Sequence, residues 1–369
     1  MSFRIPLSAP DITQEEIDAV SAVLRTSDLS LGPQLSAFES ALAAYHGTRH
    51  AVAVSSGTAG LHIALLTLGI GPGHEVIVPS FTFIAVANAV IQAGATPVFA
   101  DIDAVTLNLD PVRVAEAISP RTRAIIVVHT FGVPAQMDQF QSLAAQHNLV
   151  ILEDACEAIG AAFMGKRVGT FGDLSVFGFY PNKQMTTGEG GAVLAQADEH
   201  AARLRSLRNQ GRAGSEWLDH AEPGFNYRLP ETSCALGLVQ IRRLDQMLAL
   251  RQAAAERYLT LLAVLPGVEL PPSSLPGRTI SWFVFVIRMP DEITRNDAQS
   301  VLAAQGIATG RYFAPIHLQP AWRSHPQAHQ CLPVTEALSP RMLALPLFNR
   351  ITKKQQTDVT NALAELLHS

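Results

Sequence analysis

Five short runs in the first 152 residues are apolar along nearly their whole length: Ala51-Val-Ala-Val54, Glu75-Val-Ile-Val78, Pro97-Val-Phe-Ala100, Ala124-Ile-Ile-Val-Val128 and Leu149-Val-Ile-Leu152. A strand with one wet face alternates apolar and polar residues. A strand apolar on both faces belongs in a parallel sheet covered on both sides. Stretches of helical spacing separate the runs, and that alternation predicts an α/β, doubly wound domain reaching to about residue 245. Right-handed crossovers then gather the loops at the strand ends along one edge, where ligands bind. Ahead of the first run, Thr13-Gln-Glu-Glu16 forms a capping box followed by Ile17, Val20 and Leu24 at helical spacing. A second helix after Gly32-Pro33 carries Leu35, Phe38, Leu42 and Tyr45 on one face. Downstream, a long helix is predicted from Thr232 past Arg251, joining the first unit to a second. Pro266, Pro271, Pro272 and Pro276 mark a loop-rich entry to a smaller α+β unit. In that unit Trp282 to Ile287 reads as a strand, and Arg295 to Gln305 and Thr352 to Leu367 as helices. The expected division is 1–245, including the N-terminal helical segment, and 246–369.

Composition narrows the function classes. Apolar residues make up 48% of the 369 and charged ones 16%, which suits a large core and excludes a disordered chain. A net charge of −5 without a basic stripe argues against nucleic acid and anionic membranes as partners. No run of about eighteen apolar residues spans a bilayer, and Met1 to Leu7 lacks the apolar core of a signal peptide. Cys156, Cys234 and Cys331 are too few and too scattered for a disulfide framework, so a cytoplasmic protein is expected.

Three segments carry chemistry. Ser55-Ser-Gly-Thr-Ala-Gly60 follows a strand and opens the helix Leu61-His-Ile-Ala-Leu-Leu66. A helix start points free backbone N–H groups and the positive end of its dipole at the loop. It can hold a phosphate there, with the Ser56 and Thr58 hydroxyls as further donors, although a plain turn has the same pattern. Leu149-Val-Ile-Leu-Glu-Asp154 is an apolar strand ending in two carboxylates at the ligand edge. Such an acid can meet a ring nitrogen, a ribose or a metal, or simply cap the next turn. Phe177-Gly-Phe-Tyr-Pro-Asn-Lys183 leads into a bend with three glycines by Gly191. A partly desolvated lysine there is a competent nucleophile towards an aldehyde. A phosphate cup, an acid and a lysine together describe one cofactor, pyridoxal phosphate, whose ring nitrogen needs the acid to stay protonated.

The sequence resembles the DegT/DnrJ family of aminotransferases, which aminate keto sugars carried on nucleotides, over nearly the whole chain. The resemblance is carried by Ile5-Pro-Leu-Ser, the helix through Glu15-Glu-Ile17, Gly71-Pro-Gly73 and Glu75-Val-Ile-Val-Pro-Ser-Phe-Thr-Phe83. In family order follow Glu153-Asp-Ala-Cys-Glu157, Tyr180-Pro-Asn-Lys183, Thr187-Gly-Glu-Gly-Gly191, Gly224-Phe-Asn-Tyr-Arg-Leu229 and Arg311-Tyr-Phe-Ala-Pro-Ile-His317. The resemblance implies the fold type I of pyridoxal phosphate-dependent transferases, like aspartate aminotransferase. That fold has a large, mostly parallel, doubly wound domain and a small α+β C-terminal domain. It also implies a homodimer with shared active sites. Lys183 would bond the cofactor aldehyde and shuttle protons, and Asp154 would pair with the pyridine nitrogen. Gly57, Thr58 and Ala59 would hold the phosphate, and Phe83 would stack on the ring. Glu157 stands where the family often has Gln or His near the ring hydroxyl, so its carboxyl group must be protonated or paired. Gly178 replaces a serine that usually binds the phosphate, leaving Ser175 or a water to compensate. Asn226 and Arg228 would serve the partner's site, the bland alternative being an Arg228 paired with a local acid such as Glu231. Tyr312 and His317 would line the sugar pocket.

The function implied is transfer of an amino group from an amino acid, L-glutamate by expectation, to a keto group of a nucleotide-linked hexose. C4 is favoured over C3 through Thr186-Thr-Gly-Glu-Gly190. Two alternatives stand: a sugar dehydratase with the same cofactor, whose known forms lack the lysine, and a non-catalytic ligand-sensing regulator on the same scaffold. Other signals fail on spacing. Gly160-Ala-Ala-Phe-Met-Gly-Lys166 imitates a P-loop, but Arg167 takes the place of its Ser or Thr. Ser55 to Gly60 lacks the dinucleotide pattern. His317, His325, His329 and Cys331 lack the spacing of a zinc site, so no metal is expected. Cys156, without a placed His, reads as a small buried thiol.

Overall fold

The structure, a computed structural model, describes residues 3–214, 218–326 and 330–367. Two helices lead, α1 (Gln14–Val23) and α2 (Pro33–His46), followed by β1 (His50–Val54), α3 (Gly57–Thr67), β2 (Glu75–Pro79), α4 (Ala85–Gln92) and β3 (Thr96–Ala100). Next come α5 (Pro111–Ala117), β4 (Thr122–Val128), α6 (Met137–His147) and β5 (Val150–Asp154). A short ribbon, β6 (Ala162–Phe163) and β7 (Lys166–Arg167), precedes β8 (Leu174–Gly178), β9 (Gly191–Ala195) and α7 (Asp198–Arg208).

Seven strands form one sheet in the order β1-β9-β8-β5-β4-β2-β3. Only β9 runs against the rest, pairing antiparallel with both β1 and β8. Both faces are dry. Val52, Val54, Val76, Val78, Ile126, Leu152 and Val176 pack with α3 and α4 on one side. Ala51, Ala53, Phe177 and Ala192 pack with α2 on the other, where Ile77, Ile125, Val127 and Ile151 also meet α6. Burial of both faces is why these strands do not alternate. The segment that imitates a P-loop is the β6–β7 ribbon, with no helix for a phosphate to meet.

Two helices follow, α8 (Glu231–Arg242) and α9 (Leu244–Leu262). The single long helix expected from Thr232 is thus divided at Arg243 (φ −97°, ψ 0°), which ends α8 and precedes α9. Its guanidinium is drawn onto two buried carboxylates, pairing with Glu16 and reaching Asp11 at 3.5 Å. Beyond lie β10 (Arg278–Thr279), β11 (Phe285–Arg288), α10 (Arg295–Ala304), α11 (Pro333–Leu338), β12 (Met342–Leu345) and α12 (Lys353–Leu367). Strand β11 pairs antiparallel with β12, and α9, α10 and α12 close a second core over them. Ile5 joins this core through a bridge to Ile307. The strand expected from Trp282 starts only at Phe285, because Trp282 turns to a positive φ of 50°. The backbone there bonds elsewhere. Ser281 N–H donates to Gly132 (3.0 Å), Phe283 N–H donates to Phe131 (3.2 Å), and buried Arg251 donates to the carbonyls of Trp282 and Phe283. Among the described residues no helix is long and apolar enough to cross a membrane.

Candidate active site

The C-terminal ends of β1, β2, β4, β5 and β8 open on one edge, and a cavity of about 500 Å³ lies there. The end of β1 leads straight into α3. The Ser56 hydroxyl caps that helix by accepting from Ala59 N–H at 3.0 Å. Of the three amides expected to hold a phosphate, Ala59 is therefore already used by its own cap. Gly57 and Thr58 line the cavity. Their N–H groups are the helix-start donors without a turn above them. The close packing behind the cup demands glycine: a β-carbon on Gly191 would lie 2.7 Å from the Gly57 nitrogen.

Asp154, the last residue of β5, lines the same cavity, and its Oδ1 accepts from Cys156 N–H at 3.0 Å. Its neighbour Glu153 faces the other way and is wholly buried. Glu153 accepts from the amides of Gly169, Phe171 and Gly172 and lies 3.0 Å from His129 Nε2. Because Ala135 N–H donates to His129 Nδ1, that imidazole carries its hydrogen on Nε2 and donates a hydrogen bond from there to Glu153. Burial would push the Glu153 carboxyl up, but these donors outweigh it and hold the pKa below the ordinary carboxylate value. The two adjacent acids thus divide: one braces the loop at 169–172, the other faces the cavity.

Lys183 stands across the cavity, in the turn after β8. Its Nζ lies 3.6 Å from Glu157 Oε1 and 4.0 Å from the centre of the Phe283 ring. Glu157 Oε2 accepts from Phe131 N–H at 2.9 Å. Burial raises the Glu157 pKa, against the pull of Lys183 and of the Phe131 amide. The carboxyl group is therefore paired with Lys183 and the Phe131 amide. Phe83 (61% exposed) and Tyr180 (53% exposed) stand at the mouth.

The remaining expected residues divide. Tyr312 lines the cavity, its hydroxyl 3.4 Å from Asn182 Nδ2. Ser175 does not: its hydroxyl donates to Gly169 O at 2.7 Å. The reason is strand parity. Leu174 and Val176 face α3, as Gly178 does, whereas Ser175 and Phe177 face the opposite side. Ser175 therefore does not compensate for Gly178. His317 is also withdrawn from the pocket. It is 2% exposed, with Nδ1 2.6 Å from Ser80 Oγ and Nε2 3.4 Å from Glu336. Burial lowers its pKa, against Glu336, and the ring ties the last third of the chain to the loop ahead of Phe83. Asn226 and Arg228 do not line their own chain's cavity; Arg228 donates to Asn209 Oδ1 at 2.8 Å. Glu231, the local acid weighed for Arg228, instead accepts from the amides of Gly32, Gln34 and Leu35 at the start of α2. Among the described residues no cluster of three or more His, Cys, Asp or Glu could hold a metal, and His329 lies outside the described residues.

Sequence reasoning missed Asn182, Cys156 and an aromatic wall of Phe283 and Phe313. Asn182 and Cys156 lie inside quoted motifs and were within reach. Phe313 likewise lies inside a quoted motif, whereas Phe283 carries no local signal and is brought there by packing alone.

A cup of free helix amides, a strand-end carboxylate and a lysine amine thus share one cavity, a donor set that fits an anionic aldehyde cofactor with a basic ring. A sequence model of the DegT/DnrJ/EryC1/StrS aminotransferase family matches residues 10–364. The chain belongs to that family. The chain is 40% identical to a GDP-perosamine synthase of Caulobacter vibrioides, over 99% of this chain and 98% of that protein. DesV of S. venezuelae superposes with a TM-score of 0.93 at 39% identity, covering 100% of both chains. PseC of Helicobacter pylori, an aminotransferase of pseudoaminic acid biosynthesis, gives 0.94 at 26% identity, covering 99% of both. As a DegT/DnrJ/EryC1/StrS aminotransferase the chain is a pyridoxal phosphate-dependent enzyme of the aspartate aminotransferase-like fold.

Proposed function

We propose that this aminotransferase moves an amino group from L-glutamate to a keto group of a nucleotide-linked hexose, at C4 in preference to C3, in amino-sugar, polysaccharide or glycoside biosynthesis. The observation that carries the transfer is the meeting of Lys183, Asp154 and the open amides of Gly57 and Thr58 in one cavity. The sugar substrate is supported by the relative named GDP-perosamine synthase. Bound pyridoxal phosphate supplies an aldehyde that exchanges oxygen for nitrogen and a ring that withdraws electrons from the neighbouring carbon. The chain supplies the rest. Gly57 and Thr58 N–H hold the phosphate, and Asp154 keeps the ring nitrogen protonated. Lys183 Nζ lifts a proton from one carbon and returns it to another in each half of the reaction. Glu157 holds Lys183 and faces the ring hydroxyl, Phe83 covers the ring, and Tyr312 orients the sugar. Phe283 and Phe313 exclude water from the lysine. Lys183 itself favours this reading over the dehydratase, and the complete acid–lysine–phosphate set favours it over a sensor.

Two copies share their sites in this reading, with Asn226 and Arg228 reaching the partner's cofactor and substrate. Its support is that Arg228 has no carboxylate within salt-bridge reach among the described residues, while Glu231 is committed to α2. Residues 1–245 and 246–369 act as its two domains, and the enzyme works in the cytoplasm. The test of the substrate is a panel of keto nucleotide-sugars mixed with the glutamate-loaded enzyme. The sugar that restores the aldehyde-form absorbance is the acceptor, and a panel without any response rejects the sugar. Co-expression of Lys183→Ala with Arg228→Ala tests the sharing. With random pairing, roughly a quarter of all sites regain activity if Arg228 serves the partner, and none does if it serves its own chain.

A further inference from the structure

The floor of the phosphate cup holds a sulfur atom. A β-carbon on Gly57 would lie 2.8 Å from Cys156 Sγ. One on Gly178 would lie 3.2 Å from the same sulfur and 3.3 Å from the Cys156 β-carbon. The thiol therefore occupies the ground between the first turn of α3 and the end of β8, where a side chain at 178 would project. Cys156 and Gly178 both line the cavity. The thiol makes a weak hydrogen bond, 3.7 Å, to the Val176 carbonyl. Ser175 is turned to the other face, so the side chains that reach the cup besides this thiol are the Ser56 and Thr58 hydroxyls.

We propose that Cys156 is a phosphate-binding residue of this enzyme, its thiol donating to the cofactor phosphate from the space that a side chain at position 178 would fill. The proposal rests on reading the cavity as the pyridoxal phosphate site. Burial pushes the thiol pKa well above its ordinary value, and the Asp154 carboxylate adds to that push against the pull of Lys183. The sulfur keeps its proton at neutral pH and approaches a phosphate dianion as an S–H donor, without the repulsion a thiolate would bring. Positions 156 and 178 are then coupled: a β-carbon at 178 would crowd the Cys156 side chain at 3.2–3.3 Å, and a smaller residue at 156 relieves that crowding.

The test uses the full chain with and without cofactor. Methyl methanethiosulfonate labels cysteines, and peptide mass spectrometry follows Cys156 with exposed Cys331 as the unprotected reference. Labelling of Cys156 in the apo chain falls at least about tenfold with pyridoxal phosphate and with inorganic phosphate, and much less with pyridoxal, which lacks the phosphate. Protection by pyridoxal alone, or none by phosphate, overturns the proposal. A cofactor titration followed by absorbance gives a second reading. Cys156→Ala weakens pyridoxal phosphate about five- to tenfold and leaves pyridoxal unchanged. Gly178→Ser weakens it further in the parent, but in the Cys156→Ala background restores it to within about twofold. Unchanged affinity in Cys156→Ala, or strictly additive effects of the two substitutions, refutes the coupling. A parent chain that never gains the Lys183-linked chromophore sinks the cofactor reading and this one with it. An intact chromophore beside an unprotected Cys156 sinks this one alone.

Discussion

Replacing Glu231 by glutamine removes one charge and one acceptor from the start of α2 without changing the size of the side chain. In the parent, Oε1 accepts from Gly32 N–H (3.0 Å) and Leu35 N–H (2.9 Å), and Oε2 accepts from Gln34 N–H (2.7 Å). The side chain is 1% exposed, so water does not replace what is lost. Glutamine keeps two of the three bonds in weaker, uncharged form and turns an NH₂ group towards the third donor. A hydrogen bond to a charged group contributes about 1.5–3 kcal/mol against 0.5–1.5 for a neutral pair. An anion at a helix start adds about 0.3–1 kcal/mol. The net cost to local stability is about 2–3 kcal/mol, which speeds opening of the first turn of α2 roughly 30- to 150-fold. Amide hydrogen exchange resolved to Gln34 and Leu35 measures this directly and does not require the whole chain to unfold in one step. The cofactor chromophore at Lys183 should be retained, since Glu231 lies outside the cavity. Exchange at Gln34 and Leu35 within threefold of the parent would show that the carboxylate does not hold the helix start, and the argument would fail.

Further outcomes follow from other residues. Borohydride treatment of the yellow holoenzyme should fix the cofactor on Lys183, and an adduct on Lys166 or any other residue refutes the lysine assignment. Asp154→Asn should bind cofactor but lose about three orders of magnitude in turnover, as a neutral amide no longer keeps the ring nitrogen protonated in a dry site; near-parent kcat rejects that role. Glu16 is buried, which by itself raises its pKa, yet bonds from Thr13, Gln240 and Arg243 bring it from 4.5 down to about 2. A depressed acid stabilises the fold above its unfolded pKa and stops doing so as pH falls through the folded one. Between pH 4.5 and 2 the parent should therefore lose about 2 kcal/mol that Glu16→Gln has lost already. Thermal melts at pH 6 and pH 3 read this, and equal acid sensitivity in both proteins counts against it.

How far the sequence is legible depends on which forces place each residue. The sheet is legible because a strand buried on both faces writes its environment along its own length, as Val76 to Val78 and Ile125 to Val127 do. Asp154 is legible because it ends such a strand, and Lys183 because it lies in the turn that follows one, where topology sends both to the ligand edge. Ser175 misleads because one residue of parity decides which face a side chain meets, and nothing near it marks the register. The break at Arg243 is invisible locally, since it answers to Glu16 and Asp11, more than two hundred residues earlier. Tyr312 and His317 sit five residues apart in one motif. Distant partners, Ser80 and Glu336, hold His317 away from the cavity that Tyr312 lines.

The cavity wall begins at Ser56 and ends at Phe313. A chain leaving the ribosome has its phosphate cup after about sixty residues and its lysine after 183, yet it lacks the aromatic wall until five-sixths of it has been made. Folding from the N-terminus, the sheet can assemble well before any cofactor is enclosed. Since a ligand stabilises only the state that binds it, pyridoxal phosphate secures the finished polypeptide and gives nothing to a prematurely terminated one. Cofactor supply is therefore expected to stabilise the full-length protein as well as to enable its chemistry.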